Sequence, residues 1–181
     1  MAHAQWFRHP IKGDPSGNLY CRLIELLCAR ASHAGLVCRP DLRAGPGEAF
    51  LAEMESSCRG LAFETLEWPG TRVATGKRVV VFETGLVRER LGSVVPSLYS
   101  WLWPDRPEDL FFFDRASGWI PFFSISHESQ AYFVTQTEEP ASDAEYEVVD
   151  GFCYPAYPLT ADEYQHLERC AAMVGARIRA G

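Results

Sequence analysis

Between Leu110 and Thr137, large apolar residues fall into three short runs, LFFF, WIPFFSIS and AYFVT, separated by Asp114-Arg115-Ala116-Ser117-Gly118 and by His127-Glu128-Ser129. Runs of this length, rich in Phe, Ile, Val and Tyr and bounded by turn residues, predict an antiparallel meander. Side chains alternate across a strand. Leu110 and Phe112 therefore face one way and Phe111 and Phe113 the other, which makes the first run a central strand buried on both faces. In the second run Trp119, Pro121, Phe123 and Ile125 share a face opposite Ile120, Phe122 and Ser124. Pro121 has no N–H for a ladder, so the strand is expected to begin after it or to carry an edge or bulge there. Tyr132 and Val134 oppose Ala131 and Phe133 in the third.

Upstream, residues 1–16 read as irregular, with Trp6 and Phe7 tucked onto the domain. Leu19, Leu23, Leu26, Leu27 and Ala31 recur at helical spacing behind Ser16 or Asn18, predicting a helix that runs to Gly35 with His33 near its C-terminus. Pro46 opens a second helix with the stripe Phe50, Leu51 and Met54, stopped at Gly60. LAFETLEW is a strand, and Pro69-Gly70 turns the chain. TRVAT and RVVVFET read as a hairpin joined around Gly76-Lys77. The segment after Gly85 is helical in two pieces, interrupted by Gly92 and Pro96. A short strand is expected at Tyr146–Val149. Thr160 and Glu163 form a capping box for a last helix whose stripe is Tyr164, Leu167, Ala171, Val174 and Ile178. Helices, strands, helices, strands and a final helix do not alternate as a parallel doubly wound sheet would. The expected fold is α+β: a mainly antiparallel sheet with a central meander, packed by N-terminal helices and a C-terminal helix in one domain spanning 1–181.

Composition narrows the class. The 181 residues are 47% hydrophobic and 23% charged, as in a globular chain, and no apolar run reaches the roughly 20 residues that cross a bilayer. The N-terminus carries no apolar stretch of signal-peptide type, so the cytoplasm is the expected compartment. Six cysteines without a CxxC pair read as free thiols. A net charge of −7, with two lysines beside fifteen arginines, argues against nucleic acid as a partner.

The charge is unevenly placed. The 53 residues between Arg115 and Arg169 contain no Lys or Arg, but they hold Glu128, Glu138, Glu139, Asp143, Glu145, Glu147, Asp150, Asp162, Glu163 and Glu168. Two readings are open, a solvated acidic face or a docking surface for a basic partner.

Candidate chemistry is sparse. His127 and Glu128, near Ser124 and Ser126 and across a turn from Asp114, could serve nucleophilic catalysis, since a carboxylate can orient a His that takes a Ser proton. Against this, Ser126 and His127 are adjacent on a strand end and there is no GxSxG elbow. Asp162, His166 and Cys170 share one helix face but span roughly 12 Å, too far for a single ion. Neither a metal nor a cofactor is expected. Trp101, Trp103 and Tyr99 form an aromatic knot that suits core packing.

From Trp101 to Phe133 the order WLWPDRPEDLFFFD…SISHESQAYF resembles small stand-alone bacterial immunity proteins, which combine an α+β core with a strand pair ending in a polar turn. The resemblance implies a protein that occludes a co-produced toxin by setting acidic groups against a basic cleft. The expectation is thus a non-catalytic protein-binding protein. Its partner surface would comprise Glu128, Glu138, Glu139, Asp143, Glu145, Glu147 and Asp150, with Trp119 as an aromatic anchor, directed at a basic protein partner such as a secreted toxin. The alternative is a small hydrolase or transferase using His127 with Asp114 or Glu128.

Overall fold

A computed structural model describes residues 5–39, 45–136, 153 and 156–180. Its frame is one eight-stranded sheet in the order β3-β4-β2-β5-β6-β7-β1-β8, with every pairing antiparallel. The strands are β1 (Phe7–Pro10), β2 (His33–Cys38), β3 (Leu61–Trp68), β4 (Thr71–Glu83), β5 (Glu108–Asp114), β6 (Trp119–Ile125), β7 (Gln130–Thr135) and β8 (Tyr157–Pro158). Helices α1 (Gly17–Arg30), α2 (Pro46–Cys58) and α3 (Thr84–Ser93) cover one face, and α4 (Ala161–Ala180) covers the other. The expected α+β class with a mainly antiparallel sheet is the observed one.

The meander forms as its alternation requires. Leu110 and Phe112 of β5 join the core beneath α1–α3, while Phe111 and Phe113 join the core beneath α4. Tyr132 and Val134 of β7 face α4, and Ala131 and Phe133 face the other way. Pro121 lies inside β6, and the register jumps beside it, from Phe112 opposite Phe122 to Asp114 opposite Trp119. The extra residue is a bulge at the position where the ladder lacks a donor, and it puts Ile120 and Trp119 in the same core instead of on opposite faces.

Three expectations are corrected. The first helix ends at Arg30, and residues 33–38 are not its continuation but strand β2 between β4 and β5. All six residues of β2 are buried, so the two-residue rhythm that marks a half-exposed strand is missing. Gly35 is the reason the pattern misleads. It sits opposite Phe111, and a Cβ there would lie 2.1 Å from that ring, so this glycine serves close packing and not helix termination. Second, β4 is one strand of 13 residues, and the hairpin closes at Pro69-Gly70. Gly76 belongs to an irregularity opposite Leu66, where the register jumps between Thr65–Lys77 and Glu67–Arg72. Third, the opening residues are not irregular throughout, because Phe7–Pro10 pair with both β7 and β8.

Elsewhere the local rules hold. Pro46 begins α2, which ends through Arg59 in the left-handed region, with Gly60 N–H donating to Glu55 O at 3.1 Å. The Thr160–Glu163 box closes reciprocally, with Thr160 N–H donating to Glu163 Oε2 at 2.8 Å and Glu163 N–H to Thr160 Oγ1 at 3.3 Å. Trp101 is wholly buried and its indole N–H donates to Tyr20 Oη, consistent with a packing role. None of the six cysteines is joined in a disulfide. No helix among the described residues is long and apolar enough to cross a membrane. The strand expected at Tyr146–Val149 lies outside the described residues.

Candidate functional site

Ser126–Glu128 fold as a single 3-10 turn after β6, and Ser129 leaves it in the left-handed conformation. This turn places His127 beside the head of β5, where Pro107 precedes two adjacent acids. His127 Nδ1 lies 2.9 Å from Glu108 Oε1, and Nε2 lies 3.8 Å from Glu128. Arg39, just past β2, reaches Glu108 Oε2 at 3.3 Å. Asp109 accepts the indole N–H of Trp68 at 2.8 Å and the backbone N–H of Ser126 at 2.7 Å.

Glu108 is 3% exposed and Asp109 1%. Carboxylates are this buried only when paired and hydrogen-bonded, and here each oxygen has a partner. The backbone makes the arrangement possible. Asp109 has φ +53°, and the β2–β5 register jumps past it, from Leu36 opposite Leu110 to Val37 opposite Glu108. A bulge residue in the left-handed region lets two consecutive acids turn inward. Burial pushes Asp109 up to about 6 against the bonds from Trp68 and Ser126, and the neighbouring Glu108 charge adds to the rise.

The Asp114 named beside His127 is not part of this group. It occupies the other end of β5 and caps the β5–β6 turn, accepting from Ala116 N–H at 3.1 Å and Ser117 N–H at 2.9 Å. Burial works to raise its pKa, but those bonds outweigh it and hold the carboxyl below its usual range. Glu128 is exposed at the turn. Ser124 Oγ exchanges bonds with the Leu110 backbone and lies 3.3 Å from Ser126 Oγ, so both hydroxyls are engaged away from His127.

Trp119 is only 8% exposed and forms the middle slab of an aromatic stack. Its ring centroid is 4.4 Å from Trp6 and 5.5 Å from Tyr164. Trp6 and Tyr164, not Trp119 itself, line a groove of about 580 Å³ with Gln5, Gln165 and Glu168. Glu168 is the only charged group in that lining among the described residues, and it accepts from Tyr164 Oη at 3.2 Å.

The acids of the final third do not share one environment. Glu163 pairs with Arg8 at 2.5 Å and Asp162 with Arg72 at 3.5 Å, whereas Glu128 and Glu168 have no arginine partner among the described residues. Glu138, Glu139, Asp143, Glu145, Glu147 and Asp150 lie outside the described residues.

A second polar group sits under α4. His166 Nε2 is 3.0 Å from the carbonyl oxygen of Trp68, and Nδ1 is 3.0 Å from Glu67 Oε2 and 3.2 Å from Arg72 Nε. Arg169 grips Glu67 through two bonds of 3.1 and 3.3 Å. That grip, aided by His166 and opposed by burial, lowers the Glu67 pKa. Cys170, one turn along α4, is wholly buried, and burial pushes its thiol up to about 12. Two sets of donors thus lie close enough to meet one cation: Glu108, Asp109 and His127, and Glu67, His166 and Cys170. Each set falls within 4.8 Å. In the first, the competing partners are Trp68 and the Ser126 backbone, both buried, and Arg39, whose side chain is only 14% exposed.

Sequence reasoning reached His127 but not Glu108, Asp109, Arg39 or Trp68. The usable hint was Glu108-Asp109 standing directly before a run buried on both faces, since the pleat must turn one of two such acids inward. Comparison with protein families, curated proteins and solved structures finds no match for this chain.

Proposed function

We propose that this is a non-catalytic protein-binding protein, of the kind that neutralises a co-encoded bacterial toxin in the cytoplasm by covering its basic surface. The observation that carries the reading is the groove beside α4. Two aromatic faces, Trp6 and Tyr164, and one carboxylate, Glu168, line it, with no basic group among the described residues. Such a lining suits an Arg or Lys side chain, which gains cation–π attraction of about 0.5–2 kcal/mol in addition to the ion pair. The exposed Glu128, without an arginine partner among the described residues, and the acid-rich stretch 138–150 add the long-range field that steers a cationic partner. The polar cluster around His127 fits the same reading, because its hydrogen bonds hold the turn that presents Glu128.

The test is binding to the product of the neighbouring reading frame. Trp6→Ala with Glu168→Arg should weaken affinity by tenfold or more. Reversing Glu138, Glu139, Glu145 and Glu147 should slow association and flatten its salt dependence. Unchanged affinity and salt dependence in both variants would remove the proposal.

The alternative, a hydrolase or transferase using His127, draws on Glu108, whose carboxylate orients Nδ1 of the partly exposed ring, with Nε2 3.8 Å from Glu128. Full activity of His127→Ala on any substrate found would exclude it.

A further inference from the structure

We propose that Glu67, His166 and Cys170 form a binding site for a borderline divalent transition-metal ion of the zinc class, clipping α4 to the β3–β4 hairpin. Carboxylate, imidazole and thiolate are the donor types such ions take. The single-helix set Asp162, His166 and Cys170 is too long for one ion. The fold replaces its distant member with Glu67 from β3. His166 and Cys170 remain as an i, i+4 pair on one face of α4. With all three donor atoms within 4.8 Å of one another, a point about 2.8 Å from each exists, against bonds of about 2.0–2.3 Å, so shifts below about 1 Å complete the geometry.

Two independent features point to a cation at that place. The first is the imidazole. With Nε2–H donated to the Trp68 carbonyl at 3.0 Å, the neutral ring turns the Nδ1 lone pair onto a Glu67 oxygen only 3.0 Å away. Two lone pairs face each other there unless Nδ1 takes up a second proton or a positive centre lies beside them, and the bond that Arg72 Nε donates to Nδ1 at 3.2 Å marks this nitrogen as an acceptor of a cation. Holding the distal N–H on a backbone carbonyl is also how metal-ligating histidines are oriented. The second is Cys170, a wholly buried thiol on the same helix face that makes no hydrogen bond to another described residue.

Arg72 now supplies the positive charge, with Nε 3.2 Å from His166 Nδ1 and 3.6 Å from Glu67 Oε2. Its side chain is 47% exposed, against 14% for Arg39 at the other cluster, and its outer nitrogen already lies 3.5 Å from Asp162, onto which it can withdraw. Arg169 stays on Glu67 and orients the carboxylate. Binding displaces the Cys170 thiol proton to solvent, and the resulting thiolate and the Glu67 carboxylate together neutralise a divalent ion. The fourth position would open to the groove of about 350 Å³ that Arg72, Asp162 and His166 line. Arg72 and the metal are therefore competitors for one place.

Cobalt(II) reports the site directly, because a thiolate ligand gives a near-ultraviolet charge-transfer band and tetrahedral geometry gives intense visible bands. Titration of the reduced full chain should show one cobalt per chain and displacement by zinc. Cys170→Ser should lose the charge-transfer band, Glu67→Gln should bind tenfold or more weakly, and Arg72→Gln should bind more tightly than wild type. If Cys170→Ser does not fold by circular dichroism, Glu67→Gln and Arg72→Gln carry the test through their opposite shifts. Absence of the band in both wild type and Arg72→Gln overturns the proposal. So does a band that survives in folded Cys170→Ser.

Discussion

The Trp68 indole donates to the buried Asp109 carboxylate at 2.8 Å, while the Trp68 carbonyl oxygen meets His166 on the helical side. One residue at the β3–β4 turn thus ties the head of β5 and the middle of α4 to the same hairpin. Trp68→Phe removes the donor and leaves part of the buried indole volume unfilled. It should destabilise the protein by at least about 1–3 kcal/mol, the cost of a buried polar group left short of a partner with the cavity adding to it, read from the urea midpoint at constant slope.

The same carboxylate governs a pH dependence. Asp109 stands at about 6 in the folded protein against 3.8 ordinarily, so the folded state holds its proton more tightly than the unfolded chain. Its favourable contribution is complete below pH 4 and is lost as the pH rises through 6. The lowered carboxyls Glu67 and Asp114 slope the other way, but they do so in wild type and variant alike. Stability of Asp109→Asn relative to wild type should therefore climb between pH 4 and 6, by up to about 3 kcal/mol, in urea titrations across that range. A flat difference would show that Asp109 titrates normally.

Gly35 should tolerate no side chain. Its added methyl would enter the Phe111 ring at the centre of the sheet, so Gly35→Ala should cost about 3 kcal/mol or more, the upper end for overpacked cores. Pairing it with Phe111→Leu should recover part of that loss in thermal denaturation, whereas Phe111→Leu alone destabilises.

Thr160→Ala removes one half of the α4 capping box and should cost about 1 kcal/mol. Hydrogen exchange should speed up at Glu163 and its neighbours in the first turn and stay unchanged at Val174.

What was readable in the chain follows its periodicity. Leu110–Phe113 and Ala131–Val134 announce their faces because each pleat position carries a distinct side chain, and Thr160 with Glu163 announces a helix start by local bonding alone. His33–Cys38 was unreadable as a strand because both its faces are buried and its glycine answers to Phe111, a residue 76 positions away in a partner strand. The site divided on the same line. His127 stands out in an apolar block, but its partner is Glu108 and not Asp114, and only the bulge at Asp109 decides that. Glu67 likewise becomes a neighbour of His166 only once α4 lies across β3.

Strand β1 is paired on one side with Thr135–Tyr132 and on the other with Pro158–Tyr157. A nascent chain that has exposed only its first hundred residues therefore has nothing for Phe7–Pro10 to join, and these residues must wait until the meander has left the ribosome. Such long-range closure slows folding. Shortening the chain at its start should accordingly loosen the 157–158 segment as well, although the two are separated by nearly the whole length of the polypeptide.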